Sequence, residues 1–302
     1  MPYLPPSTVL VTGACGNLGR KIVAALAEQP WCHRIVGEDL RPEAASFPAD
    51  LHAKLNLVAG DLTDGAGAWR DALAGVEAVI HLAAENPDVD ATWLQAARSF
   101  DMTAHLGLAA SQAGVRRFVF ASSNHVMGGY KDEPLATDLV AGGLTTALPP
   151  APGTKWHDGT RHQDSTAYAT AKLMGERFST ALAMQSGGAL TAVSVRIGWA
   201  QPGENRAATI SHAGSVIGGI PEARDDDARR DLRWFRGMWL SNADLAAIFV
   251  AAVSADPAAW PVPGIVVNGM SGNAGMGWDI GSTERLLGYR PGSDMQRELG
   301  SG

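Results

Sequence analysis

Two short segments of the sequence contain residues that together could move a proton and a hydride. Tyr168 and Lys172 are four residues apart, so they lie on one face of a helix. A tyrosine with a reference pKa of about 10 is a poor base at neutral pH, but a nearby ammonium group favours the phenolate. Gly13, Gly16 and Gly19 form the second segment. The two segments together predict hydride transfer at a carbinol carbon beside a bound dinucleotide.

The glycine segment has the context that a dinucleotide site requires. It follows the apolar residues 9–11 directly and precedes a helical pattern. Gly13 permits a tight turn, Gly16 lets the backbone approach a pyrophosphate, and Gly19 permits close packing of helix on strand. The N–H groups at the start of the helix then face the phosphates, which places Asn17 and Leu18 at the cofactor.

Asp39 lies twenty residues beyond Gly19, at the end of the second predicted strand. A carboxylate there can accept hydrogen bonds from both ribose hydroxyls of the adenosine and repels a 2′-phosphate, which favours NAD over NADP. Arg41 and Arg20 are close enough in sequence to soften that preference. The alternative is that Asp39 only caps a helix or a turn. Residues after the third and fourth strands are predicted to flank the adenine and its ribose: Asp61, Leu62, Leu82, Ala83 and Ala84.

Ser122-Ser123-Asn124-His125 follows the fifth predicted strand. A serine at the carboxyl end of a parallel strand faces the crevice where ligands bind, so its hydroxyl can hold a substrate oxygen beside Tyr168. His125 is either a substrate contact or a loop histidine whose hydrogen bonds are satisfied internally. No G-x-S-x-G segment accompanies these serines, which disfavours a Ser-His-Asp hydrolase.

Apolar segments of strand length alternate with helical patterns along the chain. The alternation predicts an α/β fold, a doubly wound parallel sheet of Rossmann type. We expect residues 1–200 to form the NAD-binding domain with the catalytic Ser, Tyr and Lys, and residues 201–302 a smaller substrate-binding part packed on it. The predicted strands are residues 8–11, 34–36 (ending near residue 39), 55–59, 78–82, 117–121 and 192–196, and the helices 18–28, 91–113 and 166–185.

Composition narrows the class of partner. The chain has 302 residues, 46% of them hydrophobic, and a net charge of -7, which disfavours nucleic acid or an acidic membrane surface. No apolar stretch is long enough to span a membrane and no secretory signal is evident. Cys15 and Cys32 are expected to be free thiols, which indicates the cytoplasm. The expected partner is a small-molecule substrate, and a homo-oligomer is expected.

Two segments interrupt the alternation. Residues 131–163 are rich in Gly and Pro, and they are either a surface insertion or a lid or subunit contact. Residues 201–239 contain the acidic triplet Asp225-Asp226-Asp227, which we expect to be a solvated face rather than a metal site because no histidine accompanies it.

These motifs, in this order, resemble the extended short-chain dehydrogenase/reductases over almost the whole chain. Within that family the sequence is most similar to uronate dehydrogenases, NAD enzymes that oxidise the C1 hemiacetal of a hexuronic acid to a lactone. The narrower resemblance is carried by Ser122-Ser123-Asn124-His125-Val126, Arg196-Ile197-Gly198, and the tail residues 268–271, 278–279 and 287–291.

The resemblance implies roles for further residues. Ser123 is the catalytic serine, Asn124 and His125 touch the substrate, and Asn86 lies on the pocket wall. Ile197 belongs to the cofactor site. Arg206 is the nearest candidate for binding a carboxylate, with Arg233 or Arg236 as replacements. No metal is implied.

The chain departs from uronate dehydrogenases at Trp199, which stands where those enzymes have a small serine that helps to bind substrate. Because of this departure, another sugar or sugar acid stays open as the substrate. Two other functions also stay open. One is an epimerase or dehydratase that retains its NAD, although such enzymes on nucleotide sugars usually carry a larger C-terminal part. The other is a non-enzymatic dinucleotide sensor, disfavoured because Tyr168 and Lys172 are both present.

Overall fold

The computed structural model describes residues 3–42, 47–86, 90–136, 139–215, 223 and 225–300. Parallel strands and intervening helices dominate these ranges. The strands are β1 (Thr8–Thr12), β2 (Arg34–Asp39), β3 (Leu55–Ala59), β4 (Ala78–His81), β5 (Arg117–Ser123), β6 (Lys155–His157), β7 (His162–Asp164), β8 (Thr191–Ile197), β9 (Ile210–Ser211), β10 (Gly214–Ser215) and β11 (Gly264–Gly269). The helices are α1 (Asn17–Ala27), α2 (Trp93–Gln112), α3 (Thr166–Gln185), α4 (Asp226–Gly237), α5 (Asn242–Ser254), α6 (Gly281–Leu287) and α7 (Met295–Gly300).

The main sheet has the order β11-β8-β5-β4-β1-β2-β3, and its neighbouring strands are parallel. The order reverses direction at β1 and β4, which makes the crevice beyond their carboxyl ends the expected ligand site of such a sheet. The doubly wound parallel sheet predicted from the sequence is therefore confirmed.

The sheet is buried on both faces, as its crossover helices require. One face packs against α1 and α5 through a cluster that includes Val11, Ile22 and Phe249. The other packs near α2 through a cluster that includes Leu10, Leu106 and Phe118. The β1 strand is buried at every position, with three apolar residues at its centre, because both of its faces meet these clusters.

The two interrupting segments pack together beside the carboxyl edge of the sheet. Residues 131–163 contribute the β6–β7 hairpin, and residues 201–239 contribute the β9–β10 hairpin and α4. Trp156 from the first segment and Phe235 from the second share a buried apolar cluster. Lys131 Nζ also lies 2.5 Å from Asp231 Oδ1, and both residues are buried. This cluster forms a cap next to the crevice.

The acidic triplet has a structural role at the start of α4. Asp225 accepts a hydrogen bond from the Ala228 N–H and caps the helix. Asp226 pairs with Arg229, and Asp227 pairs with Arg230, on a solvent-exposed face.

The C-terminal part contains a strand that the alternation pattern missed. β11 pairs with β8 and adds a seventh strand to the sheet, although its Ile265-Val266-Val267 is a short apolar segment of strand type. The division into residues 1–200 and 201–302 stays a prediction. In the described part of the chain, no helix is long and apolar enough to cross a membrane.

Candidate active site

A cavity of about 810 Å³ runs along the carboxyl ends of the parallel strands. It begins at the glycine turn after β1 and reaches the start of α3. Most of the predicted site residues line it, although they come from the ends of six strands and from the starts of α1 and α3. They are Gly13, Gly16, Asn17, Leu18, Gly19, Asp39, Asp61, Leu62, Leu82, Ala83, Ala84, Ser123, Asn124, His125, Tyr168, Lys172, Ile197 and Trp199.

The glycine turn is closely packed and leaves backbone donors available. Gly13 has a φ of +67°, and a Cβ there would lie 3.0 Å from the Ala83 nitrogen. A Cβ on Gly19 would lie 2.2 Å from the Gly13 carbonyl oxygen, so α1 can begin against this turn only with glycine at that position. No side chain caps α1, whose N-cap is Gly16. The first N–H groups of the helix can therefore bind an anion such as a pyrophosphate.

Asp39 is oriented by the backbone. Its Oδ2 accepts a hydrogen bond from the Cys15 N–H (3.0 Å), and its Oδ1 accepts one from the Arg41 N–H (3.2 Å). The carboxylate is thereby held at the mouth of the cavity beside the glycine turn. Arg41 was predicted to bind the cofactor but does not line the cavity. Its hydrogen bond to Asp39 comes from its backbone N–H. Asp61 lies across the same end, where hydrogen bonds from Thr63 lower its pKa.

Tyr168 and Lys172 lie in the first two turns of α3, at the other end of the cavity. Lys172 Nζ donates to the Ala121 carbonyl oxygen (2.8 Å) and lies 5.6 Å from the centre of the Tyr168 ring. Burial lowers the pKa of Lys172 to about 8. The helical spacing predicted from the sequence thus brings the lysine ammonium close to the tyrosine ring.

The two serines at the end of β5 have different partners. Ser122 Oγ donates to Glu176 Oε1 (2.6 Å), and Arg196 forms two hydrogen bonds with the same carboxylate (2.8 and 2.9 Å). The Ser122 hydroxyl proton is therefore engaged in a buried network. Ser123 Oγ accepts from the His125 N–H (3.2 Å), which leaves its own O–H able to donate into the cavity.

His125 is both internally bonded and part of the cavity wall. Its Nδ1 hydrogen-bonds with Thr154 Oγ1 (2.8 Å) and Ser165 Oγ (3.0 Å), and burial lowers its pKa to about 3. The ring is therefore neutral near pH 7. Asn124 Nδ2 donates to the Ile197 carbonyl oxygen (2.9 Å), while its buried Oδ1 has no partner among the described residues. That oxygen is a free acceptor at the cavity wall.

Aromatic rings back the substrate end of the cavity. Trp199 lies 6.1 Å from His125 and 4.9 Å from Phe235, measured between ring centres. Trp156 stacks on His125 with its ring centre 5.9 Å away. The two interrupting segments thus contribute Trp156 and Phe235, which pack behind the part of the cavity wall that Trp199 forms.

Four predicted substrate residues lie outside this cavity. Asn86 lines a small neighbouring pocket that also includes Tyr168 and Lys172. Arg206 is exposed at the start of a short 3-10 turn. Arg233 and Arg236 lie on α4, neither against the cavity. The structure does not bring these arginines to the catalytic residues.

The sequence interpretation missed several residues that shape the site. Thr154, Ser165 and Trp156 hold His125 from the cap segment and the start of α3. No local pattern could have identified them, because their roles depend on how residues 151–165 fold back over the strand ends. Glu38 also lines the cavity. Its position one residue before Asp39 was the only available signal.

Comparison with known proteins shows to which family the chain belongs. The model of the NAD dependent epimerase/dehydratase family matches residues 9–200. The L-arabinose 1-dehydrogenase (NAD(P)(+)) of Haloferax volcanii is 30% identical over 290 residues, covering 94% of this chain and 95% of that protein. The NAD-dependent glucose-6-phosphate dehydrogenase of the same organism is 27% identical over 285 residues, covering 94% and 92%.

A solved structure of a dehydrogenase is also similar to this chain. A uronate dehydrogenase variant from Agrobacterium tumefaciens in complex with NAD has a TM-score of 0.66 and 26% identity, covering 98% of this chain and 88% of that one. The chain belongs to the NAD dependent epimerase/dehydratase family. The predictions of an NAD-dependent oxidoreductase and of the extended short-chain dehydrogenase type are confirmed.

Proposed function

We propose that this protein oxidises the C1 hydroxyl of a sugar or sugar acid to a lactone, with NAD as the hydride acceptor. The observation that carries the proposal is that one cavity joins the glycine turn and Asp39 to Ser123, Tyr168 and Lys172. A dinucleotide held by the first set lies beside the proton-transfer groups of the second. The L-arabinose 1-dehydrogenase relative, matched over nearly its full length, supports oxidation at C1.

In this proposal the chain's own residues move the proton and hold the substrate oxygen. Ser123 donates its O–H to the C1 oxygen and orients it. Tyr168 as phenolate would accept the C1 hydroxyl proton. Lys172 stabilises the phenolate through its positive charge. NAD, when bound, would supply the acceptor for the C1 hydride.

The cofactor half of the proposal assigns the pyrophosphate to the start of α1 and the adenosine ribose to Asp39. Asn17 and Leu18 belong to the first turn of α1, where N–H groups are available. Asp61, Leu62, Leu82, Ala83 and Ala84 flank the adenosine, and Ile197 lies by the nicotinamide end. Asp39 would repel a 2′-phosphate, which is why we propose NAD rather than NADP.

The described residues at the substrate end of the cavity favour a neutral aldose over a uronate as the substrate. Asn124 Oδ1 is a free acceptor for a sugar hydroxyl, and Trp199 offers a flat apolar face. Among the described residues that line the cavity, the one guanidinium is that of Arg98, and it pairs with Glu85 at 3.0 Å. Arg206, predicted to bind a carboxylate, is exposed outside the cavity. A carboxylate would therefore lack a matched partner there.

We further propose a cytoplasmic homo-oligomer. Neither Cys15 nor Cys32 forms a disulfide in the structure. Trp93, Leu94 and Leu108 of α2 are exposed apolar side chains, and so is Met184 of the adjacent α3. Such exposed groups on neighbouring helices support a contact between subunits. Light scattering on the purified protein tests the oligomeric state directly.

Tyr168→Phe tests the proton-transfer role. We expect NADH formation to fall by about 10²- to 10⁴-fold, because the ring stays in place but cannot accept the proton. NAD binding should persist. Tyr130→Phe is the matched control, since Tyr130 bonds to Pro149 outside the cavity and its loss should leave the rate nearly unchanged. Full turnover by Tyr168→Phe would exclude the assignment.

The substrate is tested by an NADH absorbance screen with aldoses, sugar phosphates and uronates. We expect an aldose to give the highest kcat/KM. If free sugars of all three kinds fail, nucleotide sugars turn over, and the purified protein carries NAD that does not exchange, then the epimerase or dehydratase alternative replaces this proposal.

A further inference from the structure

Glu38 is a buried acid whose side chain faces the cofactor cavity without a partner. It is the penultimate residue of β2, it is 2% exposed, and it lines the cavity beside Asp39. None of the described residues donates a hydrogen bond to its carboxyl group. Buried carboxyl groups are normally hydrogen-bonded or paired, because burial without a partner is costly. The partner of Glu38 must therefore come from the cavity that it lines, as a water molecule or as a group of a bound ligand.

The backbone next to Glu38 leaves room for that side chain. A Cβ on Gly60 would lie 2.6 Å from Glu38 Oε1 and 2.7 Å from the Trp69 Cβ. The carboxyl group thus lies against the bare backbone of Gly60, which itself lines the cavity. A side chain at that position would displace the carboxyl group from the cavity wall.

The surroundings of Glu38 favour its neutral form. Its charged neighbours are Asp39 on its own strand and Asp61 after β3, while the 3-10 turn Ala68–Leu73 presents the uncharged Trp69. Burial raises the pKa of Glu38 to about 8, and the two carboxylates add to the increase. A neutral carboxylic acid has one O–H donor and one carbonyl acceptor side by side.

We propose that Glu38 recognises the adenine base of the bound dinucleotide, its carboxyl group donating to a ring nitrogen and accepting from the exocyclic amino group. Adenine presents such a neighbouring donor and acceptor along its edge. Asp39, adjacent to Glu38, is the proposed ribose partner, so the base attached to that ribose lies next to the Glu38 carboxyl group. The inference rests on the cofactor site assigned under Proposed function.

The first test measures adenine recognition by equilibrium titration at pH 7. NAD is compared with 1,N6-etheno-NAD, in which a bridge removes the amino protons and blocks ring nitrogen N1. Wild type and Glu38→Gln should share the same preference for NAD, because an amide also offers a donor and an acceptor. In Glu38→Leu that preference should be about tenfold smaller. Equal preferences in wild type and Glu38→Leu would overturn the proposal.

The second test measures how the binding affinity depends on pH, and its main prediction concerns the wild-type protein. ADP serves as ligand because it lacks both the nicotinamide and the ribose attached to it, so it does not reach Tyr168 and Lys172 at the other end of the cavity. Ionisation of Glu38 removes its donor, and the affinity of wild type should fall about tenfold between pH 7 and pH 9. Glu38→Gln should show a flat profile, and Asp64→Asn, an exposed acid outside the cavity, should follow wild type. An equal fall in Glu38→Gln overturns the proposal.

Asp39→Ala separates this inference from the cofactor site on which it rests. If Asp39→Ala binds ADP as tightly as wild type does, the assigned cofactor site is wrong and the role of Glu38 fails with it. If Asp39→Ala weakens binding while both Glu38 tests give no effect, only the role of Glu38 is wrong.

Discussion

Asp39 and Glu38 are one residue apart on β2, and their side chains meet different surroundings because successive strand residues point to opposite faces. The Asp39 carboxylate accepts hydrogen bonds from two backbone N–H groups. The Glu38 carboxyl group instead lies on Gly60 beside the cavity. Because side chains alternate in direction along the strand, Glu38 and Asp39 have different proposed roles at the same end of the cavity.

Replacing Asp39 tests the proposed preference for NAD. We expect Asp39→Ala to raise the ratio of kcat/KM for NADP over that for NAD by about tenfold or more, because the repulsion of a 2′-phosphate and the ribose contact are both lost. Steady-state kinetics with each dinucleotide measure the ratio. Asp64→Ala, which removes an exposed carboxylate outside the cavity, should leave it unchanged. An unchanged ratio in Asp39→Ala would contradict the assignment.

Most of the residues that line the cavity could be predicted from the sequence one at a time, although their roles stay predictions. Gly13, Asp39 and Lys172 each lie in a local pattern whose spacing has one strong chemical explanation. Arg206 shows the limit of that method. The fit of a guanidinium to a carboxylate predicts Arg206 as a substrate residue, yet its side chain is exposed outside the cavity, because no local spacing encodes the tertiary contacts that position it.

At the scale of elements, His81 connects the two strands at the switch point to a helix. Its Nδ1 hydrogen-bonds with Thr12 Oγ1 at the end of β1 (2.8 Å), and its Nε2 with Thr103 Oγ1 on α2 (3.0 Å). Burial, and then the charge of Lys172, lower the pKa of His81 to about 3. The neutral ring thus holds together the elements that border the cofactor crevice.

This histidine should make the protein sensitive to acid. The unfolded chain takes up a proton at His81 near the ordinary pKa of about 6.5, whereas the folded protein does so only near 3. Stability is therefore lost as the pH falls through that window, by about 2 kcal/mol from His81 between pH 7 and pH 5. Urea unfolding at the two pH values measures the loss.

Variants isolate the contribution of His81 from that of the other acid-sensitive groups. His81→Asn should reduce the loss between pH 7 and pH 5 by about 2 kcal/mol, whatever its stability at pH 7. His33→Asn, at an exposed histidine, should behave as wild type does. A loss in His81→Asn as large as that in wild type would contradict the prediction.

At the scale of the whole molecule, the two interrupting segments form one cap through a buried ion pair and an aromatic cluster. Lys131 lies between Asp231 of α4 and the adjacent Asp132. Trp156 and Phe235 pack 5.5 Å apart between ring centres and support the wall behind His125. Segments distant in sequence thereby set the shape of the proposed substrate end.

Breaking the ion pair on one side should destabilise the fold strongly. We expect Lys131→Met to lower the free energy of unfolding by about 3–5 kcal/mol, because Asp231 is left buried without its cation. The double variant Lys131→Met/Asp231→Leu should recover most of that loss. Arg229→Ala, which removes an exposed pair with Asp226, should change stability by less than about 1 kcal/mol. Denaturant unfolding compares the variants, and equal losses in the single and double variants would refute the argument.

The sequence by itself determined the parallel sheet, the glycine turn, the position of Asp39 and the Tyr168–Lys172 pair. Each can be predicted from a pattern among residues close in the chain, where strand-length apolar segments and helical periodicity are visible. Only the tertiary structure decided that β11 completes the sheet, that Thr154 and Ser165 hold His125, that Arg206 is exposed outside the cavity, and that Glu38 faces the cavity over Gly60. These contacts join segments far apart in sequence, and burial and packing, rather than spacing, select them.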